Sequence, residues 1–378
     1  MASPIQPRNK IATSRFAYID WMRGLACALM FQTHCYDSWL KPEARQSRFF
    51  MWSQMGGMLP APIFIFVAGI SVALITVRLR EKGIDRNSIA KQTILRGAQI
   101  LGLGLLFRVQ EFVIGYRFVP WTDLLRVDVL NILGISIMLM GIFCWIIGNN
   151  FEDKINSRQI AGGIFVGAVI AMLTPPVWTT HRLRFFPWPI ESYLDGVHIF
   201  AEPQSWLFPI FPWTAFAFAG LAVGFYLFSD FAKTKNVLAF LFLGAAAICG
   251  GIISIILDRS AVTIYSVHDY WHTSPNYFLM RCAVLVIILC FAYFWCRWGF
   301  GEKGFSPLIQ LGKASLLVYW VHIEFVYGLL SILPKKRCSI PLATLGLVII
   351  FVSMVALSLA RTNWKLRASR KRSAEAAG

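Results

Sequence analysis

Three ionisable residues, Asp20, Arg23 and His34, interrupt the first long apolar run of the chain. A charge near the bilayer centre costs about 2.5–3.5 kcal/mol on insertion scales, so such residues usually have a partner and often a task. In an α-helix, positions 20, 27 and 34 share one face, and Arg23 lies on the same side as Asp20. A rise of 1.5 Å per residue separates Asp20 from His34 by about 21 Å. This stripe predicts chemistry or transport that crosses a bilayer.

His34 is the strongest catalytic candidate. Asp37 follows at i+3, where its carboxylate could orient one ring nitrogen of His34. An oriented imidazole is suited to act as a general base that takes a proton from an attacking hydroxyl or amine. The alternative is a histidine that is hydrogen-bonded inside a helix bundle, and the chemistry alone favours neither.

Asp20 and Arg23 are candidate residues for binding an anionic co-substrate. In that interpretation Arg23 faces a phosphate and Asp20 holds the guanidinium in place. The alternative is an intrahelical ion pair near the lipid headgroups, which contributes little beyond helix stability. The spacing favours this second interpretation slightly.

Three later residues, Asn131, Tyr319 and His322, are candidates for binding the substrate. Asn131 could donate a hydrogen bond to an oxyanion, although Asp128 and Asn131 are also typical residues of a helix end. Tyr319 and His322 are three residues apart and share one side of a helix. Glu324 is two residues after His322 and therefore points to another side.

The third apolar run contains Arg108 and Glu111 at i+3. Because an unpaired charge in a membrane helix is costly, we expect them to pair with each other or with Asp20 and Arg23.

The sequence predicts no metal site. His268 and His272 have a spacing that suits a metal only if the segment is helical, and no third ligand lies nearby. The eight cysteines contain no C-x-x-C motif, so we expect free thiols.

The composition defines the elements that must position these residues. A chain that is 57% hydrophobic and 15% charged has too few polar residues to cover a soluble domain. We expect an all-α polytopic membrane protein with about ten transmembrane helices. A single transmembrane domain, 19–360, would lie between basic segments at 1–18 and 361–378. The ten apolar runs are 19–37, 55–77, 97–115, 128–148, 159–177, 207–228, 237–257, 277–296, 314–333 and 340–360.

The net charge of +17 is distributed as in a membrane protein. With both termini in the cytoplasm, the inner segments carry roughly twice as many Lys and Arg residues as the outer ones, which follows the positive-inside rule. The basic tail from Arg361 to Arg372 suits anionic lipid better than nucleic acid, so we expect no nucleic-acid partner. The sequence predicts a multi-pass protein of the cytoplasmic (inner) membrane.

Several motifs resemble those of integral-membrane acyltransferases. Asp20, Arg23, Gly24 and His34 match the opening pattern of acyltransferase type 3 proteins, Asp-x-x-Arg-Gly with a closing His. Four later motifs are similar to bacterial relatives of heparan-α-glucosaminide N-acetyltransferase. These are PIFIFVAGIS at 62–71, DVLNILG at 128–134, FPIFPW at 208–213 and LGKASLLVYWVH at 311–322.

The resemblance implies an acyltransferase that moves an acyl group, usually acetyl, from cytoplasmic acyl-CoA to a hydroxyl or amine of a cell-envelope saccharide or glycolipid. Acyl-CoA would be a co-substrate, with no permanently bound cofactor. His34 would be the catalytic base or a transient acyl carrier, and Arg23 would lie near the donor. In the heparan enzyme the active histidine follows the first span, but residues 39–54 contain none here, so the role falls to His34. The sequence leaves a homodimer open.

Two alternatives use the same charges differently. A transporter or flippase of an envelope precursor would use them as gates and consume no acyl-CoA. A non-catalytic membrane scaffold would use them only to pair helices.

Overall fold

The computed structural model describes residues 16–115, 120–148, 157–196, 208–260, 264–266, 268–298 and 304–375, with side chains as far as residue 369. Residues 1–15, most of the predicted basic N-terminal segment, lie outside these ranges. The described chain forms fourteen α-helices, two 3₁₀ turns and no strand. The helices are α1 (Ala17–Trp39), α2 (Arg48–Gly57), α3 (Pro60–Glu81), α4 (Arg86–Ile114), α5 (Val129–Ile147), α6 (Ser157–Trp178), α7 (Trp188–Leu194), α8 (Ile210–Leu227), α9 (Asp230–Thr234), α10 (Asn236–Arg259), α11 (Pro275–Arg297), α12 (Pro307–Lys313), α13 (Ser315–Val326) and α14 (Ile340–Glu375).

The all-α polytopic architecture is confirmed. In the described part of the chain, eight helical segments are long and apolar enough to cross a membrane. They contain α3, α4, α5, α6, α8, α10, α11 and α14, which correspond to eight of the ten predicted runs. The run at 19–37 forms the 23-residue α1, whose polar residues Asp20, Arg23, His34 and Asp37 keep it outside this apolar set.

The predicted span at 314–333 is wrong in length. Within it the chain forms only the 12-residue α13, which Ala314 separates from α12, and helical structure ends after Val326. Residues 327–339, here called the strap, instead bind the end of α1. The backbone N–H groups of Lys336 and Cys338 donate to the carbonyl oxygens of Ser38 and Trp39, at 2.9 and 2.8 Å. Backbone groups satisfied in this way need no helix.

The first helix lies at the centre of the bundle, where it contacts α2, α3, α11, α12, α13 and α14. Its contact with α12 is the closest. A Cβ atom added at Gly24 would lie 1.8 Å from the Leu308 carbonyl oxygen, and one at Gly312 would lie 1.8 Å from the Asp20 oxygen. Only glycine lets the two backbones approach this closely.

The glycine pairs at 163/167 and 220/224 also lie at helix contacts, as the G-x-x-x-G spacing predicts. Gly163 and Gly167 of α6 face α8, and Gly220 and Gly224 of α8 face α3. At Gly220 an added Cβ would lie 1.9 Å from the Phe66 carbonyl oxygen.

The last helix is longer than the predicted span at 340–360. Its 36 residues extend about 54 Å at 1.5 Å per residue, against a hydrocarbon core of about 30 Å. The predicted basic tail therefore continues the same helix as far as Glu375. The domain boundaries and the cytoplasmic placement of the termini stay predictions.

Candidate functional site

The side chain of His34 meets that of His322 between α1 and α13. His34 Nδ1 and His322 Nε2 are 2.9 Å apart, and the two rings are stacked at an interplanar angle of 10°. His322 is fully buried, and its ring lies against Phe31 and Tyr319. Two residues separated by 288 positions in sequence thus form one histidine pair.

A backbone carbonyl sets the proton positions of this pair when both rings are neutral. His322 Nδ1 lies 2.9 Å from the Val318 carbonyl oxygen, which can only accept a hydrogen bond. His322 Nδ1 therefore carries its proton, and His322 Nε2 accepts from His34 Nδ1. The unprotonated nitrogen of His34 is then Nε2. This is the arrangement that a general base requires.

His34 lines a cavity of about 100 Å³ at the end of α1. The cavity also contains Asp128 and Tyr319, and its other walls are mainly apolar. These remaining lining residues are Met30, Thr33, Gly57, Pro60, Ala61, Phe64, Val129 and Phe208. We call this region the His34 end of the molecule, and the start of α1 the Asp20 end.

Asp37 does not form the hydrogen bond to His34 that the i+3 spacing predicts. Its carboxylate accepts hydrogen bonds from the Tyr327 hydroxyl at 2.8 Å and from Arg45 at 2.9 Å, and Lys336 lies 3.7 Å away. The interpretation of Asp37 as the residue that orients His34 is therefore corrected, since His322 makes that contact. Asp37 instead joins α1 to the strap and to the 3₁₀ turn at Ala44–Gln46.

Asn131 is buried and does not line the His34 cavity. Its amide nitrogen donates to the Tyr193 hydroxyl of α7 at 2.8 Å. Asp128 is the cap of α5, because its side chain accepts from the Val129 N–H at 2.7 Å. Within the motif at 128–134, the structure thus brings Asp128 to His34 and directs Asn131 to a helix contact. A substrate-binding role for Asn131 stays a prediction.

Arg108 does not pair with Glu111 or Asp20, as the sequence led us to expect. Arg108 binds Asp128 across α4 and α5 at 2.5 Å, and both side chains are largely buried. Gln110 donates to Glu324 and accepts from the Trp320 indole. His322 and Glu324 therefore face α1 and α4, which confirms that they point to different sides.

At the Asp20 end, the sequence correctly pairs Asp20 with Arg23. The guanidinium lies 3.3 Å from the Asp20 carboxylate, which is almost fully buried, and also donates to the Ser71 hydroxyl of α3 at 2.6 Å. Ser71 closes the motif at 62–71. The ion pair thus also joins two elements.

A cavity of about 990 Å³ opens beside this end of α1. Arg78, Lys233 and Arg297 supply positive charge to its wall, and Glu81 supplies one negative charge through its pair with Lys233. Aromatic side chains complete much of the lining, namely Phe16, Tyr18, Phe228, Phe240, Tyr293 and Trp298. Sequence patterns do not reveal this site, because its residues come from six separate helices and from the segments that flank them.

His272 hydrogen-bonds Asp269. The His272 ring lies 2.5 Å from the Asp269 carboxylate in an exposed loop. Partial burial acts to raise the pKa of Asp269, but hydrogen bonds from His272 and the Trp271 N–H hold it below its usual value. Among the described residues, no group of three or more His, Cys, Asp or Glu side chains could hold a metal ion.

Comparison with known proteins identifies the family. Residues 15–270 match the family described as heparan-alpha-glucosaminide N-acetyltransferase, catalytic. The matched region contains Asp20, Arg23, His34 and Asp128, and ends before His322. No curated protein matches the chain, and the similarity to acyltransferase type 3 stays a prediction. Because the match covers more than half of the sequence, the chain belongs to the heparan-alpha-glucosaminide N-acetyltransferase catalytic family, whose function is that of a membrane acetyltransferase.

Proposed function

We propose that this protein transfers an acetyl group from cytoplasmic acetyl-CoA to a hydroxyl or amine of a cell-envelope saccharide or glycolipid. The observation that carries the proposal is the His34–His322 pair, with its tautomers set by the Val318 carbonyl. The protein would lie in the inner membrane with both termini in the cytoplasm. The Asp20 end would then face acetyl-CoA and the His34 end would face the acceptor.

The Asp20 end suits the donor because acetyl-CoA carries phosphates and an adenine ring. Arginine and lysine side chains bind phosphate, and aromatic side chains stack on nucleobases. Arg78, Lys233 and Arg297 line the large cavity beside aromatic residues. On α1, Arg23 follows Ala17 and Tyr18, which line this cavity, and precedes His34. Arg23 would contact the donor, and Asp20 would hold the Arg23 guanidinium in place.

His34 would act as a general base in a direct transfer. As the acceptor oxygen or nitrogen attacks the thioester carbonyl carbon, its proton moves to His34 Nε2. The carbon–sulfur bond then breaks, and the thiolate takes this proton to give CoA and the acetylated acceptor. Positioning and general-base action together supply the rate enhancement.

The test uses the full chain in lipid nanodiscs with radiolabelled acetyl-CoA and a saccharide fraction extracted from cell envelopes. We expect label transfer, and a fall in kcat of about 10²–10⁴-fold in the His34→Ala variant, the range that a general base contributes. The unchanged melting temperature of the variant would show that the fold is intact.

A transporter would give a different pattern. It would bind no acetyl-CoA, and it would tolerate His34→Gln better than the loss of Arg23. Absence of acetyl-CoA binding, together with unchanged envelope modification by His34→Ala, would refute the acetyltransferase proposal.

A further inference from the structure

We propose that Asp128 is the acceptor-binding carboxylate of the site, and that the reacting group beside it is a neutral hydroxyl, so that the product is an O-acetyl ester. This inference rests on the proposed function and adds a substrate class to it. It also moves the binding role within the motif at 128–134 from Asn131 to Asp128.

The first step of the argument is position. Among the residues that line the His34 cavity, Asp128 is the one with a formal charge, and it shares the space with His34 and Tyr319. The cavity of about 100 Å³ is roughly a tenth as large as the cavity of about 990 Å³ at the Asp20 end. The cavity therefore accommodates a reacting group and its neighbour rather than a large chain.

The second step is the capacity of the carboxylate for hydrogen bonds. Its two oxygens together offer about four acceptor positions. The Val129 N–H binds Oδ1 and Arg108 binds Oδ2. Both oxygens thus retain acceptor capacity for a polar hydrogen, supplied by Tyr319 beside it or by a ligand.

The third step is charge. Arg108 neutralises Asp128 at 2.5 Å, so the pair presents a hydrogen-bond acceptor with no net charge. An ammonium group would meet no unpaired carboxylate among the residues that line the cavity, because Asp128 is already paired with Arg108, whereas a hydroxyl needs none. A hydroxyl also requires a base during attack, and His34 Nε2 supplies it.

The linkage of the transferred acetyl group tests the substrate class. The full chain in nanodiscs is incubated with radiolabelled acetyl-CoA and the envelope saccharide fraction, and the purified product is treated with mild alkali. We expect the label to be released, because esters hydrolyse under conditions that leave amides intact. Label that stays on the saccharide would overturn the hydroxyl assignment. Absence of any transfer would instead refute the proposed function.

Substitutions at Asp128 test its role in binding the acceptor. The double variant Asp128→Asn with Arg108→Gln replaces the ion pair by two amides and strands no charge. We expect the saccharide concentration for half-maximal rate to rise about tenfold or more, the effect of losing a hydrogen bond to a charged group, while the KM for acetyl-CoA stays unchanged. Asp85→Asn is the matched control, since Asp85 also caps a helix, α4, but is exposed and outside the cavity.

A second variant covers the case in which the double variant does not fold. Asp128→Glu retains the charge and can still bind Arg108, but it moves the carboxylate by one methylene group. We expect it to raise the half-saturating saccharide concentration as well. A wild-type value in this variant would overturn the role of Asp128.

Discussion

The hydrogen bond between His34 and His322 makes the protonation of one ring depend on the other. Val318 contributes only a backbone carbonyl, so no substitution at that position removes its acceptor. The side chain that can be varied is His322. His322, which is 288 residues from His34 in the sequence, thereby determines which ring nitrogen of His34 is unprotonated.

Two substitutions of the buried His322 distinguish its hydrogen bond to His34 from its contribution to packing. In His322→Leu the Nδ1 proton of His34 has no acceptor on α13, so we expect kcat to fall at least tenfold, about the effect of one unsatisfied buried donor. His322→Gln places an amide oxygen there and should recover much of the loss. The measurement is kcat for both variants at saturating acetyl-CoA. Equal activity of the two variants would contradict the positioning role.

Residue spacing predicted some contacts correctly and others wrongly for one physical reason. The Asp20–Arg23 pair and the divergence of His322 from Glu324 depend on helix geometry alone, which the sequence contains. Spacing also predicted that Asp37 contacts His34 and that Arg108 pairs with Glu111. Asp37 instead binds Tyr327, and Arg108 binds Asp128. Such contacts depend on how helices are arranged, which local spacing does not determine.

At the scale of elements, the contact of α1 with α12 depends on two glycines. Gly24→Ala would place a methyl group against the Leu308 carbonyl, and Gly312→Ala would place one against that of Asp20. We expect each to lower the free energy of unfolding by about 1–3 kcal/mol, as overpacking usually does. The melting temperature in detergent measures this effect.

Gly102 of α4 provides the control for these variants. It is an exposed helical glycine, and an added Cβ would meet no atom within 4 Å. Gly102→Ala should leave the melting temperature unchanged or raise it slightly, since alanine is the better helix former. A matching loss of stability in all three variants would mean that the close approach at α1 and α12 does not cause it.

Element prediction from the sequence succeeded where apolar runs are long. Eight predicted spans are helices of sufficient length and hydropathy, because backbone groups in lipid must be satisfied within the segment itself. The run at 314–333 forms a shorter helix because the chain turns after Val326. The N–H group of Ile332 donates back to the Phe325 carbonyl oxygen, a contact that hydropathy does not reveal.

At the scale of the whole molecule, the two cavities lie at opposite ends of α1. If the Asp20 end binds the phosphates of acetyl-CoA, then replacing Arg78, Lys233 and Arg297 together by Gln should raise the KM for acetyl-CoA several-fold. The half-saturating saccharide concentration should not change. Because the cavity opens to solvent and salt screens exposed charges, the KM of the parent protein should also rise with ionic strength.

Lys82 supplies the control for this triple variant. It is exposed near the end of α3 and does not line the cavity. Lys82→Gln should leave the KM for acetyl-CoA unchanged. An equal rise in both variants would indicate a general effect of surface charge rather than a binding site for the donor.

The tight fit of Gly24 against Leu308 and of Gly312 against Asp20 has a mechanical consequence. A screw movement of α1 by one residue, about 1.5 Å along its axis with a rotation of about 100°, would bring the side chain of Arg23 or Leu25 to the place where only a hydrogen atom fits. The contact therefore opposes a shift of register between the two helices. We therefore expect an opening that admits an acceptor to His34 to come from the elements around this pair, of which α2 and the strap lie next to His34.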